Sequence, residues 1–212
     1  MKKQETYEFV NTLKTAYPDA TCSLNFTTPF QLVVAVMLSA QCTDERVNKI
    51  TPILFTRCKT IEDFSNIDIK ELEEIIHSCG FYRNKARNIK LCAKQVLEKF
   101  NGKVPQDMEN LLTLAGIGRK RANVIRLEAF GIASGIAVDT HAKRISNRIG
   151  LSIQKEPEKI EQDLLKVFPK ESLKDINHLF VWHGRNTCDS RKPKCDICTV
   201  KKFCKYYKNT AI

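Results

Sequence analysis

Apolar residues in this chain recur mostly at spacings of three and four, and almost never at two. Tyr7, Val10, Leu13 and Tyr17 share one face of a helix expected over residues 4–17, stopped by Pro18. Thr28-Pro29-Phe30-Gln31 reads as a helix start: Thr28 caps, Pro29 suits the first helical position, and Gln31 completes a capping box. The helix that follows, to about Ala40, is apolar on nearly every side, which places it at the buried centre of a helical domain. Further helices are expected at 43–57, 69–78, 83–99, 106–114, 120–130, 140–149, 157–167 and 171–184. Asn66-Ile67-Asp68 and Asn101-Gly102-Lys103-Val104-Pro105 are short linkers between them. No low-complexity tract and no repeat of solenoid period interrupts the pattern. The expected fold is all-α in two packed parts, and periodicity alone does not set the boundary between them.

One stretch breaks the helical rhythm in a way that suggests chemistry. Leu111, Leu112 and Leu114 close one short apolar pattern, and Ala122, Ile125 and Ala129 open the next. Between them stands Gly116-Ile117-Gly118. Two glycines let the backbone turn tightly and approach another molecule, because no Cβ intervenes. The unpaired amides that follow open a helix, and a helix N-terminus binds anions. A backbone phosphate is the ligand this suggests, gripped without reading sequence. A plain helix–helix turn needing glycines for geometry is the alternative. Lys120 stands in the first turn, between Arg119 and Arg121.

Charge extends the picture. Lys and Arg number 35 against 24 Asp and Glu, for a net charge of +11, which suits polyanionic partners such as nucleic acid or acidic membrane surfaces, with solubility alone as an equal alternative. Met1-Lys2-Lys3 leads into Gln4-Glu5-Thr6 rather than an apolar stretch, and the longest apolar run, Leu32 to Leu38, is too short for a bilayer. An intracellular protein is expected. Nine cysteines in a reducing compartment do not make a disulfide framework. Cys188, Cys195, Cys198 and Cys204 follow the spacing C-x6-C-x2-C-x5-C, which points to a metal centre. Spacing alone leaves tetrahedral zinc and a four-iron cluster open. Cys22, Cys42, Cys58, Cys79 and Cys92 are scattered on helical segments, as small buried residues are. Asp139 precedes an amphipathic segment from Thr140 to Ile149, where an aspartate serves as an N-cap and is also free to do chemistry.

These residues resemble a known family. Leu114-Ala115-Gly116-Ile117-Gly118-Arg119-Lys120-Arg121-Ala122, then Ala137-Val138-Asp139-Thr140-His141 and Arg144, are similar to the helix-hairpin-helix and catalytic loop of the endonuclease III family of DNA glycosylases. The likeness runs from Leu38-Ser39-Ala40-Gln41 to the terminal cysteines. It implies a six-helix barrel over residues 21–131, with the hairpin at about 107–130. It implies a second, iron–sulfur domain from residues 1–20 and 132–212, with Lys120 and Asp139 on opposite walls of a cleft between the domains.

The resemblance puts Lys120 on the family's catalytic lysine and Asp139 on its catalytic aspartate. An amine at 120 would attack the sugar carbon bearing a damaged base, expel the base, and leave an imine; elimination then breaks the 3′ linkage. The attacking amine must be neutral, a state favoured by Arg119, Arg121, the helix start and partial burial. Asp139 would stabilise positive charge on the ring and take protons from Lys120 or a water. The terminal cysteines match the family's [4Fe–4S] loop, whose Arg191, Lys192 and Lys194 would reach phosphates. Trp182-His183-Gly184-Arg185 would pack that cluster. Gly116, Gly118, Arg119 and Arg144 would join as DNA contacts, Gln41 would occupy the space opposite the orphan base, and Phe81 would be an apolar wedge or ordinary core. The implied protein is a monomeric, nucleoid-associated cytoplasmic repair enzyme acting on oxidised pyrimidines in duplex DNA.

Ala115 replaces a proline common in the family's hairpin, and Arg121 a threonine; Ala142 and Lys143 also depart from the pattern. A monofunctional adenine-mismatch enzyme lacks the lysine, and a non-enzymatic DNA clamp needs neither Lys120 nor Asp139.

Overall fold

The computed structural model describes residues 1–210, and among them regular structure is entirely helical. The helices divide into two compact units, one spanning Ser23–Ile132 and the other combining Met1–Cys22 with the chain from Ala133 onward.

The Ser23–Ile132 unit holds α2 (Pro29–Leu38), α3 (Asp44–Arg57), α4 (Ile61–Asn66), α5 (Ile69–Ile75), α6 (Tyr82–Phe100), α7 (Met108–Leu112) and α8 (Arg119–Phe130). As its sequence demands, α2 runs through the middle, packed on α3, α6 and α8, with every residue from Leu32 to Leu38 buried. The Thr28 hydroxyl caps it, accepting from Gln31 N at 3.2 Å. The reciprocal bond falls one residue earlier than expected: Gln31 Oε1 accepts from Thr27 N at 2.9 Å, not from Thr28.

The short helix α4 was not legible from periodicity. Six residues are too few to show a repeat, although Thr60 and Asp63 make a capping box. Phe64 fixes it, with its ring centroid 5.4 Å from Phe30 and 6.3 Å from Phe55. The expected helix at 69–78 splits into α5 and a 3₁₀ turn at His77–Cys79.

The second unit holds α1 (Lys3–Ala16), α9 (Thr140–Ile149), α10 (Pro157–Val167), α11 (Leu173–Asn186) and a short α12 (Lys205–Thr210) that the sequence did not announce. Helix α9 packs on α10, α11 and α12, and α1 packs on α11. Phe9 anchors the core, its ring 6.2 Å from Phe168, 6.3 Å from Phe180 and 5.7 Å from Phe203. No helix among the described residues is long and apolar enough to cross a membrane.

Candidate active-site residues and cysteine-lined cavity

The glycine hairpin joins α7 to α8. Asp107 starts α7, its carboxylate accepting from Asn110 N at 2.8 Å. Gly116 takes φ +75°, and a Cβ there would meet Asn88 Cβ at 3.1 Å, so both conformation and space call for glycine. Gly118 is the N-cap of α8, and no side chain caps that helix start. The turn is latched from two sides. Gln95 Oε1 accepts from Ala115 N at 2.7 Å, and the Arg121 guanidinium donates to the Gly116 carbonyl. The half-buried Arg121 is therefore a brace of the hairpin.

Arg119 and Lys120 lie exposed in the first turn of α8. The partial burial expected of Lys120 is therefore not observed.

Asp139 is the N-cap of α9, with one carboxylate oxygen accepting from Ala142 N at 2.7 Å. Its approach is fixed by two buried polar side chains from α10 and α11. Glu161 Oε1 accepts from Ile136 N at 3.2 Å, and Asn177 Oδ1 accepts from Ala137 N at 2.7 Å. Capping thus orients the Asp139 carboxylate.

Arg144 is placed differently from its expected role in DNA contact. Its Nε donates to Cys188 O at 3.0 Å and its Nη2 to Gly184 O at 3.0 Å, with His141 Nδ1 3.1 Å away. These bonds tie α9 to the end of α11 and leave the guanidinium committed inside its own unit. Burial, foremost, holds His141 below the ordinary histidine range. Arg191 and Lys194, by contrast, are exposed. Asp189 Oδ1 accepts from Arg191 N at 2.9 Å and Lys192 N at 3.3 Å, which shapes the loop that presents them.

Gln41 and Phe81 share an unusual backbone. Both are non-glycine residues in the left-handed region, at φ 51° and 46°. Phe81 is also 66% exposed, which rules out ordinary core. Strained backbone that persists in a folded protein is held by its surroundings and clusters at functional sites.

Cys188, Cys195, Cys198 and Cys204 line one cavity. Arg148, which the sequence did not single out, borders it: Nη1 lies 3.3 Å from Cys188 Sγ and Nη2 donates to Ser190 O at 2.8 Å. His183 Nε2 lies 3.8 Å from Cys198 Sγ, and Tyr17 Oη bonds His183 Nδ1 at 3.0 Å and Thr187 Oγ1 at 2.7 Å. The donor chemistry fits a thiophilic metal group. Burial, foremost, pushes the Cys195 and Cys198 thiols upward, and the neighbouring sulfurs add to it. Among the described residues no three His, Cys, Asp or Glu converge on a point as one metal ion requires. Of the remaining cysteines, Cys58, Cys79 and Cys92 are buried, whereas Cys22 and Cys42 are only half-buried.

The fold and hairpin define a class. A model of the HhH-GPD superfamily base excision DNA repair protein matches residues 34–170. The protein is thus a DNA glycosylase enzyme of base excision repair. An endonuclease III of Synechocystis is 50% identical over 203 residues, covering 96% of this chain and 93% of its own. The endonuclease III of Escherichia coli strain K12 is 41% identical over 206 residues, 97% of each chain. A trapped endonuclease III–DNA covalent intermediate matches with a TM-score of 0.93 at 39% identity over all of both chains. A non-covalent endonuclease III–DNA complex matches with a TM-score of 0.92 at 40% identity. This chain belongs to the endonuclease III family.

Proposed function

We propose that the protein is a bifunctional DNA glycosylase and abasic-site lyase that removes oxidised pyrimidines from duplex DNA. The observation that carries this reading is the primary amine of Lys120, exposed at an uncapped helix start directly after the glycine hairpin. The covalent DNA intermediate trapped with an endonuclease III relative supports the same route.

In this mechanism the amides at the start of α8 grip a phosphate, and the damaged nucleotide leaves the stack. The Lys120 nitrogen attacks C1′ as the N-glycosidic bond breaks, and the base departs with the bonding electrons and a proton. The sugar ring opens to an imine between Lys120 and C1′. A proton is lost from C2′ and the C3′–O bond breaks, releasing the 3′ strand as a 5′-phosphate. Water then hydrolyses the imine and frees the lysine. Asp139 stabilises the positive charge that develops on the sugar and accepts the proton released by the attacking amine. Gln41 and Phe81 fill the space the nucleotide vacates. The enzyme acts as a monomer in the cytoplasm, at the nucleoid.

Cys188, Cys195, Cys198 and Cys204 would hold a [4Fe–4S] cluster, which when bound supplies four iron–thiolate bonds that close the loop bearing Arg191 and Lys194. Iron content and visible absorbance of the purified protein test that assignment; a colourless protein containing zinc would overturn it.

Borohydride reduction with duplex DNA containing an abasic site tests the reaction. Wild type is expected to become covalently trapped and Lys120→Ala is not. Untrapped wild type would overturn the lyase assignment, and a panel of damaged bases would then show whether base release occurs alone.

A further inference from the structure

Lys85 is 6% exposed, closes the first turn of α6, and carries a charge into the core of its unit. Its Nζ donates to Leu38 O at 2.8 Å and to Cys79 O at 2.6 Å. Neither partner is a carboxylate. A buried ammonium without a counter-ion is costly, and an apolar side chain would fill such a position more favourably. Two hydrogen bonds to carbonyls are what the charge obtains in return, and the identity of those carbonyls is informative.

Leu38 is the last residue of α2, and Cys79 is the last residue of the 3₁₀ turn His77–Cys79. Both carbonyls are the kind that a helix leaves unsatisfied at its C-terminus, where a cation binds most favourably. Each helix end leads within a few residues to one of the left-handed positions. Gln41 follows Leu38 by three residues, and Phe81 follows Cys79 by two. Phe81 O in turn accepts from Lys85 N at 3.1 Å, so the wedge residue begins the turn that carries the lysine. The surroundings are otherwise the Cys42 and Cys79 thiols and the Arg121 guanidinium that braces the hairpin. Burial, foremost, holds the Lys85 ammonium below the usual lysine range.

We infer that Lys85 is a positioning residue: one buried ammonium clamps the two helix ends beyond which Gln41 and Phe81 lie, so that both side chains are pre-set to enter the duplex together. The inference rests on the reading of Gln41 and Phe81 as DNA-inserting residues. It explains why strained backbone at two separate loops persists beside a single charge. Lys85 touches neither substrate nor reacting atoms; it acts by fixing the spacing of the segments that follow Leu38 and Cys79.

The test measures affinity for a duplex bearing a tetrahydrofuran abasic analogue and for the same duplex undamaged. Lys85→Met keeps the length and removes the donors. It is expected to weaken lesion binding by about tenfold or more, the scale of lost charge-assisted bonds, while affinity for undamaged duplex is unchanged. Combined with Phe81→Ala, the losses should be strongly less than additive, because both act through one insertion. Additive losses, or equal weakening on both duplexes, would overturn the clamp and leave Lys85 a generally structural residue. If Lys85→Met does not fold, Lys85→Gln, which keeps an amide donor, goes through the same cycle; failure of both to fold would also overturn the assignment. Gln41→Ala and Phe81→Ala separate the two levels. If neither weakens lesion binding, the insertion reading fails; if both do and folded Lys85→Met does not, only the clamp fails.

Discussion

A Cβ added at Gly184 would lie 2.5 Å from Nδ1 of His141 and 2.8 Å from its Cβ. Helices α9 and α11 therefore meet at the closest approach a glycine permits, two residues from Asp139. Alanine in a helix interior ordinarily stabilises by about 0.5–1 kcal/mol relative to glycine. Here the overpacking cost, about 1–3 kcal/mol, should win, because the obstructing Cβ belongs to the α9 backbone and cannot rotate away. Gly184→Ala is expected to lower the urea midpoint, and adding His141→Ala should restore part of it. A midpoint at or above wild type would mean that the helices yield easily.

Asp139 combines capping with the proposed chemistry, and two substitutions separate them. Asparagine caps a helix about as well as aspartate, whereas alanine costs about 0.5–2 kcal/mol. Asp139→Asn should keep wild-type stability and duplex binding but lose most turnover. Asp139→Ala should lose both stability and turnover. Full activity in Asp139→Asn, measured in single-turnover base release, would reduce Asp139 to a cap.

Three arginines and lysines near the cysteine loop are expected to behave differently in salt. Each phosphate contact contributes about 0.9 to the slope of log affinity against log salt. Replacing exposed Arg191 and Lys194 together by alanine should flatten that slope by about 2. Arg144→Ala should leave the slope unchanged and lower stability, since its guanidinium is bonded to Cys188 O and Gly184 O. A flattened slope for Arg144→Ala, in fluorescence-anisotropy titrations, would return it to the DNA footprint.

Acid should weaken the Ser23–Ile132 unit through its caps. Backbone amides of Glu71 and Lys70 hold the Asp68 carboxyl below the usual aspartate range, and the Asn110 amide does the same for Asp107. A depressed folded pKa means stability present above the unfolded value, about 3.9, and lost as pH falls through the folded value. The stability advantage of wild type over Asp68→Asn should therefore be constant near neutrality and shrink below about pH 4. An advantage independent of pH in urea titrations would show that the charge is irrelevant to the cap.

What was legible in the sequence was local. The α2 start could be read because Thr28, Pro29 and Gln31 act within four residues of one another, and the hairpin because its glycines are adjacent to the helix they open. The braces were not legible. Gln95 reaches Ala115, Glu161 reaches Ile136, Asn177 reaches Ala137 and Arg148 reaches Cys188 across 20 to 40 residues. Nothing in a local pattern marks a polar side chain whose partner is a distant backbone amide. Lys85 is the extreme case. In sequence it is one more cation on an amphipathic helix, and only packing reveals it as buried.

By itself, the order of residues determined the helices, because the three-to-four spacing of apolar positions selects the face each helix must bury. It also determined the candidate chemistry, because amine, carboxylate and thiol are properties of side chains. Tertiary structure alone decided which polar groups became scaffolding and which remained exposed. The reason is that desolvation depends on neighbours the chain meets only after folding. A buried cation such as Lys85, or a half-buried one such as Arg144, must find carbonyls there, whereas Lys120, Arg191 and Lys194 stay exposed.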